Sequence, residues 1–168
     1  MGGTTGIDNA FGDFDVSFDR LLEGRADDDE RRRALDAALQ CLYSLREYLK
    51  EAMGKDAAGN FRYYDLTNGL REGAIAEGVI AVRGFRAHSI AAPIEPKFVA
   101  LLPGFLPGSY TYPGANLTWV EVPAEAAAKL QASGPGRKAL QRYKAGAEGE
   151  MVLYSLQHTR EFLRAHIA

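Results

Sequence analysis

Six apolar residues at steps of three and four, Leu35, Leu39, Leu42, Leu45, Leu49 and Met53, constrain this chain more than any other feature. That spacing puts them on one stripe of an α-helix, and such a stripe must be buried against other elements. It predicts a long helix over residues 29–53. Asp27, Asp28 and Asp29 favour the positive end of the helix dipole and stand four residues before Arg31, Arg32 and Arg33, where opposite charges become neighbours on a helix. The arginine triplet reads either as a solvated, ion-paired first turn or as an RNA-binding patch.

Two more helices follow from the same pattern. Over residues 70–90, Leu70, Ala74, Gly78, Ala81 and Phe85 form a narrow face that Ile75, Val79 and Val82 widen, with Thr67 or Asn68 as its cap. Gly73, Gly78 and Gly84 lie inside this segment. Each costs helix stability relative to Ala, and close approach of a partner backbone is the natural compensation. The helix is therefore expected at the centre of a bundle or at a subunit interface. Over residues 149–166, Val152, Leu156, Thr159 and Leu163 form a third stripe.

Between Pro93 and Pro123 the chain is rich in Pro and Gly. Two apolar runs, 97–102 and 117–122, have the composition of strands in a short β-hairpin, with Tyr110, Tyr112 and Trp119 nearby. The segment reads as an insertion over 91–122, either a functional loop or an aromatic lid over a helix face. Pro123 opens a helix to about residue 132, which Gly134, Pro135 and Gly136 are expected to stop. At the other end, residues 1–16 are expected as a flexible arm. A short helix is expected to start at the N-cap Ser17, with Phe18, Leu21 and Leu22 inward. The fold class is thus mainly α, an up-and-down bundle of four main helices, with residues 17–168 as one domain.

Composition narrows the function. The 168 residues carry a net charge of −2, which argues against coating nucleic acid by charge alone and leaves room for a small basic site. The single cysteine, Cys41, sits among leucines and reads as a core residue. One thiol makes no internal disulfide, so a reducing compartment, the cytoplasm, is expected. No apolar run approaches the roughly 20 residues of a membrane span. The aspartate-bearing N-terminus does not look like a signal peptide, and Gly6 stands where a myristoylation signal wants Ser or Thr. HExxH, CxxC, paired metal-spaced histidines, GxSxG and the P-loop lysine motif are all absent from the sequence, so no metal or cofactor is expected. Residues 134–139 fit GxGxxA but follow a helix, not a strand, and so lack the dinucleotide-binding context.

The segment that carries chemistry runs from Glu77 to His88. Arg83 is followed, after four residues, by His88. An imidazole moves protons near neutral pH, and a guanidinium can hold a phosphate and stabilise transition-state charge. RNA supplies its own nucleophile, the 2′-hydroxyl. Arg160 and His166 also satisfy R-x(4–6)-H, but in the last turns of the chain. Arg83 and His88 instead close a glycine-containing internal helix. Their structural alternatives are a helix-capping histidine and an arginine paired with Glu77 or Asp65.

An R-x(4–6)-H motif near the end of an internal helix of a small bundle resembles the HEPN superfamily. Trp119, Tyr143 and the run Leu153, Leu156, Thr159, Phe162, Leu163 are similar to small actinobacterial HEPN-like proteins. The resemblance covers residues 35 to the C-terminus. It implies a two-fold homodimer that joins two motifs into one metal-independent endoribonuclease site, in toxin–antitoxin, defence or RNA-processing systems, with RNA as substrate and a cognate antitoxin as partner. Arg83 and His88 would be the catalytic pair and Arg86 would bind the scissile phosphate, giving a 2′,3′-cyclic phosphate and a 5′-hydroxyl. Active members commonly carry a polar residue, often Asn, directly after the arginine; this chain has Gly84. The second reading is a non-catalytic HEPN-like module that binds RNA, a nucleotide, a partner protein or a small apolar ligand.

Overall fold

The computed structural model describes residues 3–23, 28–96 and 117–167. These form a mainly α-helical bundle with one two-stranded sheet. The elements are α1 (Gly3–Leu22), α2 (Asp28–Met53), α3 (Tyr63–Thr67), α4 (Arg71–Phe85), a 3₁₀ turn (Arg86–His88), β1 (Ile94–Pro96), β2 (Leu117–Trp119), α5 (Ala124–Gln131), α6 (Gly134–Gly146) and α7 (Val152–His166). Among the described residues no helix is long and apolar enough to cross a membrane.

The leucine stripe of α2 is buried as its spacing requires: Leu35, Leu39, Leu42, Leu45 and Leu49 all lie in the core. The central position belongs to α4, which packs against α2, α6 and α7. Ile75, Val79, Ile80, Val82 and Phe85 are buried around its whole circumference. Its glycines explain how α6 comes so close. A Cβ on Gly78 would stand 2.6 Å from the Ala147 nitrogen, and one on Gly146 would stand 1.7 Å from the Ala74 carbonyl oxygen. The Gly73 position is closed in the same way by the Thr67 backbone. Gly84 differs, since its Cβ would meet only the Ala139 Cβ at 3.6 Å.

Several local expectations change. Most of residues 1–16 belong to α1 rather than to a flexible arm, because Ile7, Phe11, Phe14, Phe18 and Leu21 form a stripe that packs on the core. Ser17 sits inside this helix and donates to the Asp13 carbonyl. Thr67 ends α3, and α4 starts at Arg71 behind the N-cap Leu70, without a side-chain cap. α5 ends at Gln131, just before Gly134-Pro135-Gly136 as expected, but the same three residues also open a further helix, α6, that the sequence reading did not include. Ser133 accepts a hydrogen bond from the Gly136 N–H at 3.0 Å, and Pro in the first turn gives up a donor that has no helical partner. A Cβ on Gly136 would lie 2.3 Å from the Leu130 oxygen, so the tight α5–α6 corner requires glycine.

A two-stranded sheet forms, with a strand just before the first apolar run and another at the start of the second. β1 pairs antiparallel with β2 in the register Ile94↔Trp119, Glu95↔Thr118, Pro96↔Leu117. Residues 97–102, Tyr110 and Tyr112 lie outside the described residues. Trp119 is fully buried and its indole N–H donates to Ser155 Oγ of α7 at 2.7 Å. The Tyr143 hydroxyl of α6 donates to the Val120 carbonyl. The sheet is thereby pinned to both helices beside the end of α4.

Candidate functional site

The helical hydrogen bonding of α4 gives way to the 3₁₀ turn at Phe85, which is buried and ring-packed on Tyr143. The turn ends at Ser89, the one described non-glycine residue with positive φ, at 56°. The Ile90 N–H then returns to the Phe85 carbonyl at 3.1 Å. These bonds fix where the three candidate residues stand.

Arg83 and Arg86 are three residues apart and share a face. Across from them, α2 presents Asp36, Gln40 and Tyr43, again at helical spacing. Arg83 Nε donates to Gln40 Oε1 at 2.7 Å, and its guanidinium lies over the Tyr43 ring, 3.8 Å from the centroid. Arg86 pairs with Asp36. Burial raises the Asp36 pKa above its ordinary value, against the opposing charge and hydrogen bond of Arg86. Both arginines line a cavity of about 370 Å³ together with Asp36, Gln40 and Gly84. Two planar cationic donors are thus held in place on one wall, one against Gln40 and Tyr43 and the other against Asp36, an arrangement that can accept an anion at the first.

Arg83 does not pair with Glu77 or Asp65. Glu77 is 6% exposed and serves another network. It accepts the Tyr63 hydroxyl at 2.8 Å and lies 2.9 Å from Arg142 Nη1. Burial, then the charge of Glu77, pushes the Tyr63 pKa upward. Arg83 is therefore held by a neutral amide and a ring face, and no carboxylate among the described residues neutralises it.

His88 is half-buried at the end of the turn. Five residues from Arg83 correspond to about 140° of helical rotation, and His88 is not among the residues lining the arginine cavity. Among the described residues it has no hydrogen-bond or ion-pair partner. The chain thus brings Arg83 and Arg86 together in one cavity that His88 does not line. Of the other histidines, His166 is exposed, its Nδ1 2.7 Å from the Phe162 carbonyl, and His158 stacks on Tyr154.

Cys41 is half-buried, and burial followed by the charge of Asp13 pushes its thiol pKa up, opposite to what a nucleophile needs. Among the described residues no group of three or more His, Cys, Asp and Glu is gathered in a metal-binding arrangement. The sequence reading missed Asp36, Gln40 and Tyr43. They lie on the polar flank of the leucine stripe, and only the packing of α2 on α4 selects them. Compared with protein-family models, with curated proteins and with solved structures, the chain matches none of them.

Proposed function

We propose that this chain is a HEPN-like helical module that binds RNA through its phosphates, with Arg83 as the principal contact and Arg86 beside it. The observation that carries this reading is the state of Arg83. Its guanidinium is fixed by Gln40 and Tyr43 but no described carboxylate cancels its charge. A cation with a set orientation and unspent charge suits a phosphate oxygen. The motif implies a two-fold dimer, which would present two such arginines to one strand.

A second reading, metal-independent cleavage of RNA as in a toxin or defence ribonuclease, is favoured by His88. Its imidazole stands in the next turn, unengaged by any described residue, and is free to act as acid or base on a substrate held by the partner's Arg83. This reading requires the dimer, because within one subunit His88 does not line the cavity of Arg83.

The test uses labelled single-stranded RNA in excess EDTA, with binding followed by anisotropy and cleavage by gel. Arg83→Ala is expected to weaken binding and to lower the salt slope by about 1. His88→Ala is expected to leave binding intact and, where the wild type cleaves, to slow cleavage by ~10²–10⁴. Failure of the wild type to bind RNA at low salt, or unchanged binding by Arg83→Ala, refutes the main reading. A strictly monomeric mass in light scattering refutes the composite site.

A further inference from the structure

Away from the end of α4, a cavity of about 430 Å³ lies where α1, the second half of α7 and Tyr48 of α2 meet. Its volume is within the range of small-molecule sites. It shares no residue with the two cavities that Arg83 lines, of about 370 and 340 Å³.

The walls follow from helical spacing. Asp8, Phe11 and Asp15 recur at steps of three and four and so share one face of α1, and Arg160, Arg164 and Ile167 do the same at the end of α7. The contacts between the two faces run as an antiparallel ladder. Arg160 pairs with Asp15, its Nη2 donating to Oδ2 at 2.7 Å. One turn along, the Arg164 guanidinium lies 5.7 Å from the centroid of the Phe11 ring, with that of Arg160 at 5.8 Å. Asp8 stands one turn before Phe11, next along α1. The first charge pair of the ladder is closed and the second is open. Among the described residues Arg164 meets no carboxylate and Asp8 meets no cation, although both line the same cavity. Between and beside these charges the wall is apolar, formed by Ile7, Ile167 and Tyr48. Tyr48 is 41% exposed, one of the few large side chains left open to water.

Gly12 keeps this space empty. It lies well inside α1, where glycine is unfavourable relative to Ala. Gly78 and Gly146 are held to glycine by an approaching backbone, but a Cβ on Gly12 would meet nothing within 4 Å. No helix contact requires the missing side chain, and its absence leaves the cavity open to an occupant.

We infer that this cavity binds a free α-amino acid with a large apolar side chain, its carboxylate on Arg164, its ammonium on Asp8 and its side chain against Ile7, Tyr48 and Ile167. A zwitterion answers both open charges at once. An anion alone would face Asp8 and Asp15, and a cation alone would face Arg160 and Arg164. The guanidinium of Arg164 offers a planar pair of donors to a carboxylate. Arg83, Arg86 and His88 take no part, so the site stands apart from the RNA reading.

The experiment is calorimetric titration of the full chain with L-phenylalanine, phenylalaninamide, N-acetylphenylalanine and glycine. Asp8, Gly12 and Arg164 are exposed, so Asp8→Asn, Arg164→Gln and Gly12→Leu are expected to fold, which circular dichroism checks. Phenylalanine is expected to bind more tightly than glycine, and about tenfold more tightly than either the amide or the acetyl derivative. Arg164→Gln should weaken phenylalanine and leave the amide unchanged, since the amide has no carboxylate to lose. Asp8→Asn should weaken phenylalanine and leave the acetyl derivative unchanged. Gly12→Leu should fill the cavity and abolish binding while sparing any RNA affinity, which separates this site from that of Arg83. Absence of phenylalanine binding at millimolar concentration, or equal binding by wild type and Gly12→Leu, overturns the inference. Acetylated and free phenylalanine binding equally well also overturns it, by making the occupant a simple carboxylate or a peptide end.

Discussion

Substituting Gly146 by Ala tests the claim that the α4–α6 contact is set by missing side chains. On helix propensity alone, Gly→Ala should stabilise by up to about 1 kcal/mol. The packing argues the other way. The new Cβ would stand 1.7 Å from the Ala74 oxygen, 2.4 Å from the Ala74 carbonyl carbon and 3.0 Å from the Ile75 nitrogen. All three are backbone atoms of a buried helix and cannot swing aside as a side-chain tip can. Ordinary contact requires α6 to retreat by roughly 2 Å, and a gap of even 0.5–1 Å forfeits about a quarter to a half of the dispersion energy across an interface. Overpacking costs about 1–3 kcal/mol and occasionally more. With backbone on both sides the upper end applies, so the net loss is about 3 kcal/mol. For a chain of this size that lowers Tm by about 6–12 °C. Gly84→Ala is the internal control. Its Cβ would meet only the Ala139 Cβ at 3.6 Å, so the propensity gain of about 0.5–1 kcal/mol survives. Urea unfolding followed by circular dichroism reads both variants. A Gly146→Ala protein at least as stable as wild type would refute the reasoning.

Two further predictions concern charge. Gln40→Glu places a carboxylate against the Arg83 Nε that Gln40 now holds; it should change stability by only about 0–1 kcal/mol while lowering RNA affinity several-fold, and unchanged RNA affinity would show that the charge of Arg83 is not used. Asp56 has its pKa lowered chiefly by the Asn60 backbone N–H, which donates to Asp56 Oδ1 at 2.8 Å. Its contribution is therefore present above the ordinary value of 3.8 and lost as pH falls through the lower folded value; the Tm gap between wild type and Asp56→Ala should close in acid, and a gap independent of pH would count against it.

The helices that carry their own apolar period were legible in the sequence, and the reasons for the misses are specific. The stripe of α2 gave its bounds to within a residue, because six positions repeat without interruption. The helix read over 70–90 ends its α-helical part at Phe85, where bonds such as the Ser89 N–H to the Arg86 carbonyl tighten the last turn and the Ile90 N–H closes it on Phe85. The α6 helix was hidden by its own start. Gly-Pro-Gly signals a break in isolation, yet behind Ser133 the same residues form an N-terminus. The first strand expected over 97–102 lies outside the described residues, and the strand seen before it, β1, has its position set from outside, by the Val120 N–H on the Pro93 carbonyl and by Tyr143. At the site, Arg83 and Arg86 could be read from spacing. Asp36, Gln40 and Tyr43 could not, because which flank of α2 meets α4 depends on the crossing of two helices and not on either sequence alone.

The two charged residues deepest in α4 show how the site follows from the core. A helix apolar on every side tolerates a charge only where a partner or water answers it. Glu77 sits in mid-helix, away from water, and is answered twice, by Arg142 and by the Tyr63 hydroxyl. Arg83 sits in the last helical turn, half-exposed, and is answered by an amide and a ring. Those partners fix direction without cancelling charge. If Arg83 served only to close the bundle, a carboxylate at position 40 would do so better, and Arg86 beside it already has one in Asp36. The same helix therefore carries one charge that is spent on the fold and one that no described carboxylate cancels. Both cavities that Arg83 lines open from this point, at the end of α4.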